Sequence, residues 1–278
     1  MPVEAARPRP VRILVLNPNS SKSMTEGLIP VINSVDLGPG VEVHTFTAPA
    51  PAPASINNAE DIAASLAPAL NQVVDDDCYQ WDGILVACFS VHPLLQAFAD
   101  RALGPATGIF EAGVRAATML TSHQRNGRWG DRWGIVTTGK FWEEHLRRGV
   151  VCELTGDPDT PLGPKSRFAG VESTGLNASD FHHGVDPAVV TEKIKDATKR
   201  LLTRSTTRVT CIVMGCAGMA GLEDTIRSAA SEVYDDRFAY GILHVVDGVR
   251  AGLVQINQMI KDERLRPKRL KDYDYWLN

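Results

Sequence analysis

Short, continuous apolar runs punctuate the chain, each ended by a small or polar turn and followed by a segment of helical length. Val11-Arg12-Ile13-Leu14-Val15-Leu16 is the first, stopped by Asn17-Pro18-Asn19-Ser20-Ser21. A run of this length bounded by Asn and Pro reads as a strand buried on both faces. Lys22 to Ser34 then reads as a helix behind a serine cap, and Val41 to Phe46 as a second strand. The Pro/Ala-rich loop Ala48 to Ser55 leads to a helix from about Asn57 to Asp75, and Gly83 to Cys88 makes a third strand. The order then starts again: strand Gly134 to Thr138, helix Phe141 to Gly149, strand Arg167 to Glu172, helix Val189 to Leu202, and strand Val209 to Gly215 running into Cys216. Strands separated by helix-length segments imply βαβ crossovers. The predicted fold class is α/β, with two pseudo-symmetric Rossmann-like lobes, mostly parallel sheets and an active-site cleft between them.

Gly113-Val114-Arg115-Ala116 recurs as Gly248-Val249-Arg250-Ala251, each copy expected to open a helix after a short apolar strand. Four common residues match by chance too easily to count alone; their similar placement after the two cysteines makes them evidence of an internal duplication. The predicted organisation is a loose leader over 1–10, an N-terminal lobe over 11–125, a C-terminal lobe over 126–260 and a tail over 261–278. Gly127 to Trp133 reads as the connecting loop, and the final helix of either half is free to cross to the other. The tail carries Tyr273, Tyr275 and Trp276, expected to pack on the body or on a neighbouring subunit.

A chain of 278 residues, 44% hydrophobic, buries a substantial core. With 29 basic against 33 acidic residues and a formal net charge of −4, it has no broad attraction for nucleic acid or an anionic membrane. The expected partner is a small-molecule substrate. Five dispersed cysteines and a start without the apolar core of a signal peptide read as reduced thiols in a cytoplasmic protein. No apolar stretch approaches the ~18 to 20 residues of a membrane span.

Cys88 and Cys216 each end an apolar strand and enter a small or polar turn, Cys88-Phe89-Ser90 and Gly215-Cys216-Ala217-Gly218. A cysteine so placed is ordinarily a small core residue. Here Gly215, Ala217 and Gly218 clear volume around Cys216 and leave backbone N–H groups free to face a cleft, while Ser90 plays a comparable part near Cys88. A following helix N-terminus is expected to move such a thiol toward neutrality. Two thiols facing one carbon are able to deprotonate and reprotonate it on opposite faces, inverting a stereocentre acidified by a neighbouring carbonyl, with no metal and no cofactor. The turns Asn17-Pro18-Asn19-Ser20-Ser21 and Thr137-Thr138-Gly139-Lys140 supply donors for the developing oxyanion.

Asn17-Pro18-Asn19-Ser20, Asp82-Gly83 through Cys88, Val136-Thr137-Thr138, Gly215-Cys216-Ala217-Gly218-Met219 and Asp247-Gly248-Val249 together resemble the Asp/Glu/hydantoin racemase superfamily, in its hydantoin and allantoin racemase branch, over about residues 11 to 260. The resemblance implies two α/β lobes, a cofactor-independent two-thiol mechanism and frequent homo-oligomers. By position it makes Cys88 and Cys216 the acid/base pair, and sets Asn17, Ser20, Thr137 and Thr138 against the substrate's carbonyl and amide groups. Phe89 and the backbone beside Cys216 would shape the pocket. Val91-His92-Pro93 departs from the family's Asp-Pro-Gly, removing an acid and adding an imidazole beside the first thiol.

Further residues carry two readings each. His92 either tunes Cys88 or is a surface or capping histidine. Glu111 either orients a substrate amide or is an ordinary first-turn carboxylate. His182-His183 lacks the spacing of a metal site, and Cys78, Cys152 and Cys211 read as structural. The racemase reading stands beside two others: an amino-acid racemase or diacid isomerase of the same superfamily, the latter with a cysteine nucleophile, and a noncatalytic small-molecule binding protein.

Overall fold

The computed structural model describes residues 9–75, 80–121, 131–163, 165–181, 184–204 and 207–266. In chain order the first half runs β1 (Val11–Asn17), α1 (Lys22–Asn33), β2 (Val41–Thr47), α2 (Ala59–Asp75), β3 (Gly83–Val86), α3 (Leu94–Asp100), β4 (Ala106–Gly108) and α4 (Ile109–Thr121). The second runs β5 (Arg132–Thr137), α5 (Phe141–Thr155), β6 (Phe168–Ser173), α6 (Pro187–Thr203), β7 (Val209–Gly215), α7 (Glu223–Val233), α8 (Asp236–Gly241), β8 (His244–Asp247) and α9 (Gly248–Leu265). Each half holds a four-stranded sheet, ordered β2-β1-β3-β4 and β6-β5-β7-β8, with every pairing parallel. The two orders are the same topology written twice, as the duplicated pattern predicts.

Alternation across these strands explains why their runs are apolar at nearly every position. Ile13 and Val15 of β1 face a core between the sheets, shared with Ile135 of β5 and Val213 of β7. Leu14 and Leu16 face outward, onto Leu70 and Val73 of α2 and Leu94 and Phe98 of α3. In the second half Val136, Ile212 and Met214 face outward onto α6 and α7 through Ile194, Leu201 and Ile226.

The final helices of the halves cross. Gly113 of α4 sits against Val213 of β7, while Gly252 of α9 sits against Leu85 of β3, and Ile256 and Ile260 of α9 cover Gly83. Each sheet therefore has its central strand roofed by the helix that leaves the other sheet. The two helices meet at their first turns, where a Cβ on Gly248 would lie 2.7 Å from the carbonyl oxygen of Ile109.

Several boundaries differ from the expectation for local reasons. β3 ends at Val86, because the Ala87 amide makes the last bond to Leu16, at 2.8 Å, and Cys88 has already left the sheet. α5 passes Gly149 and runs to Thr155, where Gly156 caps it in the left-handed region at φ 83°. Gly149 is a packing glycine: a Cβ there would meet Val91 and Phe110. The repeated Gly-Val-Arg-Ala also shifts: its second copy opens α9, but its first begins at the fifth residue of α4, about one turn later. Among the described residues no helix is long and apolar enough to cross a membrane.

Gly248→Ala is expected to destabilise the protein by about 1–3 kcal/mol, because the opposing atom is backbone and has no rotamer in which to retreat. Gly241→Ala, whose Cβ meets nothing within 4 Å, is the control. Urea unfolding of both variants beside wild type reads the difference.

Candidate active site

β3 and β7 are the inner strands that deliver the two cysteines. Cys88 lies two residues beyond the end of β3, and Cys216 follows β7 directly in an extended conformation, φ −158° and ψ 139°. Both thus stand at carboxyl ends of parallel strands, where loops converge and clefts open. One cavity receives them both, with about 360 Å³ of empty space including its mouth. Asn19, Met24, Ile56, Ala87, Cys88 and Phe89 line it from the first half. Thr138, Trp142, Ala178, Gly215, Cys216 and Ala217 line it from the second.

Each cysteine keeps some surface toward the cavity, but the surrounding protein desolvates its sulfur. Burial pushes the Cys88 thiol up to about 12, opposed by the Ser90 hydroxyl that donates to its sulfur at 3.3 Å and reinforced by the charges of Cys216 and Glu111. Burial likewise pushes Cys216 up to about 11, opposed by the amides of Gly218, which donates to sulfur at 3.3 Å, and Met219. The expected drift toward neutrality is therefore corrected: one or two donors per sulfur do not offset the loss of water around an anion. No long helix begins behind either thiol to help. The turn after Cys216 spans only Ala217–Met219, and α3 begins at Leu94. Since the charge of Cys216 raises Cys88, the pair favours a single anion over two.

The candidate residues divide by placement. Cys88, Phe89, Thr138, Gly215, Cys216 and Ala217 meet around the cavity. Asn17 is behind it: its Nδ2 donates to Asn19 Oδ1 at 2.9 Å and to Thr25 Oγ1 at 2.9 Å. The Ser21 amide also donates to Asn19 Oδ1 at 2.9 Å. Asn17 thus orients the carboxamide of Asn19, which does line the cavity. Thr137 is also behind, its hydroxyl donating to the Gly215 carbonyl at 2.8 Å and tying the end of β5 to the end of β7 just before Cys216. Ser20 is half-buried outside the lining, and its amide donates to the Pro53 carbonyl at 2.9 Å. Ser90 and Gly218 act on the two sulfurs rather than on the space between them.

His92 is buried and turned toward α2. Its Nδ1 accepts from the Leu94 amide at 3.2 Å, so Nε2 carries the proton and donates to Ser65 Oγ at 3.0 Å; that hydroxyl donates onward to the Ile62 carbonyl. Burial depresses its pKa to about 4, keeping it neutral. Glu111 is buried outside the lining. Cys211 is fully buried in the inter-sheet core and Cys152 lies on α5; Cys78 and His182-His183 fall outside the described residues. Among the described residues no cluster of three or more His, Cys, Asp or Glu could hold a metal.

Met24, Ile56, Trp142 and Ala178 complete the wall without having been singled out by sequence. Trp142 is buried on the first turn of α5 with edge contacts to Phe141 and His145. Asn19 stands in a turn that the sequence marks as a candidate; only the direction of its side chain is hidden there. Ile56 ends the Ala48 to Ser55 loop, and Asn57 Oδ1 accepts from the Ala178 amide at 3.3 Å, joining the lobes at the cavity rim.

A family model described as Asp/Glu/Hydantoin racemase matches residues 13–256. The chain is 26% identical to a hydantoin racemase of Pseudomonas sp. (strain NS671), over 95% of this chain and 92% of that one. Its fold matches an allantoin racemase from Klebsiella pneumoniae with a TM-score of 0.68 at 25% identity, covering 91% of this chain and 89% of the other. A glutamate racemase from Campylobacter jejuni shares the fold at 15% identity, with a TM-score of 0.54 and coverage of 91% and 86%.

His92 makes the protein acid-sensitive in a defined window. A histidine held below its ordinary 6.5, at about 4, stays neutral in the folded state while the unfolded chain takes up a proton. Stability therefore falls as pH drops from about 6.5 toward 4, by on the order of 2–3 kcal/mol. Urea midpoints of wild type should fall across that window. His92→Gln, which bonds but does not titrate, should fall less steeply.

Proposed function

The chain belongs to the Asp/Glu/hydantoin racemase family, and on that premise we propose that it inverts the stereocentre of a hydantoin-like or allantoin-like cyclic ureide by proton transfer between Cys88 and Cys216. It is an isomerase of the racemase type. The observation that carries the finer reading is the single cavity reached by one thiol from each half, at matching strand ends.

In this mechanism one cysteine, as thiolate, removes the proton from the carbon beside a ring carbonyl. The other, still protonated, delivers its own proton to the opposite face. The negative charge passes through the carbanion and its carbonyl oxygen and ends on the second sulfur, so no proton is gained or lost. The opposite enantiomer exchanges the roles. Asn19 and Thr138 line the cavity with groups able to donate to the carbonyl oxygen as charge develops there. Met24, Ile56, Phe89 and Trp142 exclude water and offer an apolar seat for the ring substituent.

Among the described residues that line the cavity, none is Lys, Arg, His, Asp or Glu. An uncharged ring suits such a wall better than a dicarboxylate, whose two anions would be desolvated without a cationic partner. That weighs for the ureide reading over the diacid isomerase.

Enantiopure hydantoins and allantoin incubated in deuterated water should lose optical rotation while deuterium enters at the stereocentre. Cys88→Ser and Cys216→Ser should each lower racemisation at least about a hundredfold. Full activity in both single variants rejects the mechanism. The pH profile follows from the raised thiols. The active free enzyme needs one thiolate, with values at about 12 and about 11, so kcat/KM should climb as pH rises from neutrality toward the lower of them. A plateau already reached at pH 7 would contradict that requirement.

A further inference from the structure

Glu111 stands on the first turn of α4, just beyond the end of β4. β3 and β4 pair with Val86 opposite Gly108, so Cys88 and Glu111 leave the same edge of adjacent strands. The Glu111 residue keeps only 8% of its surface exposed, and its Oε2, lying over Gly108, has no hydrogen-bond partner. A Cβ at position 108 would overlap that oxygen. The groups facing the carboxyl are few. The amides of Gly108 and of Glu111 itself favour its anion. Arg115, on the same helix, is paired at 2.7 Å with Glu153 of α5, so a cation and an anion act on Glu111 in opposition. Leu95 of α3 closes the Gly108 side, and Cys88 feels its charge. Burial outweighs the rest and pushes the carboxyl up to about 7.

The second half treats its own carboxylate differently. β7 and β8 pair with Met214 opposite Asp247, which brings Asp247 to the corresponding strand end near Cys216. Its Oδ1 accepts from the amides of Val249 at 2.7 Å and Arg250 at 2.9 Å, capping α9. Burial and the Gly218 and Met219 amides act on Cys216, with no carboxylate among them. The two thiols occupy symmetric positions in asymmetric fields.

We propose that Glu111 adds to the bias over which thiol carries the anion: ionised, its carboxylate repels charge from Cys88 and favours the thiolate on Cys216; protonated, it withdraws that contribution and leaves the one made by burial. This rests on the two-thiol reading above, but it concerns the resting protein. Glu111 acts through Cys88, and is a positioning residue. Enantiomers interconvert with an equilibrium constant of unity, so kcat/KM in the two directions stays equal at every pH whatever Glu111 does. The bias is visible in the thiols themselves.

The test alkylates wild type and Glu111→Gln with iodoacetamide, without substrate, from about pH 5.5 to about pH 9, and counts labelled Cys88 and Cys216 separately by peptide mass spectrometry. Cys216 labelling should climb about tenfold per pH unit in both proteins, following thiolate fraction. Cys88 in wild type should lag that climb around neutrality as Glu111 ionises. In Glu111→Gln the lag should vanish, so that near pH 9 Cys88 reacts roughly three- to tenfold faster than in wild type. A Cys88 profile identical in the two proteins overturns the proposal, and so does an equal change at Cys216, which signals a loosened cavity. If the variant does not fold, the wild-type profile decides: a Cys88 slope equal to that of Cys216 through neutrality is the overturning result. Turnover is measured apart from this. A lag without racemisation rejects the racemase reading alone, and racemisation without a lag rejects the role of Glu111 alone.

Discussion

The close approach of Gly248 to the Ile109 carbonyl holds the two halves in register. Because α4 and α9 begin against each other and then run onto the opposite sheets, each lobe keeps an outer core of its own but shares its inner one with the other. The central layer takes Leu85 and Ile109 from one half and Val213 and Leu253 from the other. Packing at crystal-like density makes such a layer intolerant of sliding. The strand ends that carry the cysteines are therefore held as firmly as the strands, and the cavity between them is a consequence of the helix exchange.

That rigidity has an electrostatic cost, and the proposed two-thiol chemistry depends on it. A sulfur enclosed by protein resists ionisation, and the first anion to form resists a second. For a two-base reaction this is a useful constraint, since the productive resting form has one thiolate and one thiol. The donors near the sulfurs, Ser90 on one side and Gly218 on the other, soften the penalty without removing it. Chemically unlike donors serve sulfurs placed alike, so the duplicated scaffold is symmetric while the surroundings of its two thiols are not.

Behind the lining lies a tier of buried polar residues whose work is geometric. Asn17 holds Asn19 by its amide oxygen, and Thr137 holds the Gly215 carbonyl. His92 ties the loop after Cys88 to α2 through Ser65. Each is engaged with protein partners, as most buried polar groups are. They are close to the chemistry in sequence, and one bond removed from it in space.

The succession of strands and helices, parallel pairing and the arrival of Cys88 and Cys216 at equivalent turns were legible in the chain, because a strand buried on both faces must be apolar throughout and a ligand-facing turn must not be; the order of the strands within each sheet was not. The same local logic failed where a residue answers to distant neighbours. Gly149 looks like a helix end and is a contact with Val91 and Phe110, while Trp142 and Ala178 carry no local mark of facing a cavity. The direction of a side chain within a recognised turn, Asn19 inward and Asn17 behind it, depends on which partner reaches the nearer oxygen. The ionisation of the thiols depends on how much protein surrounds them. Periodicity and turn chemistry are properties of neighbouring residues and so belong to the sequence alone; orientation and desolvation are properties of what packs from far along the chain, and only the tertiary structure decided them.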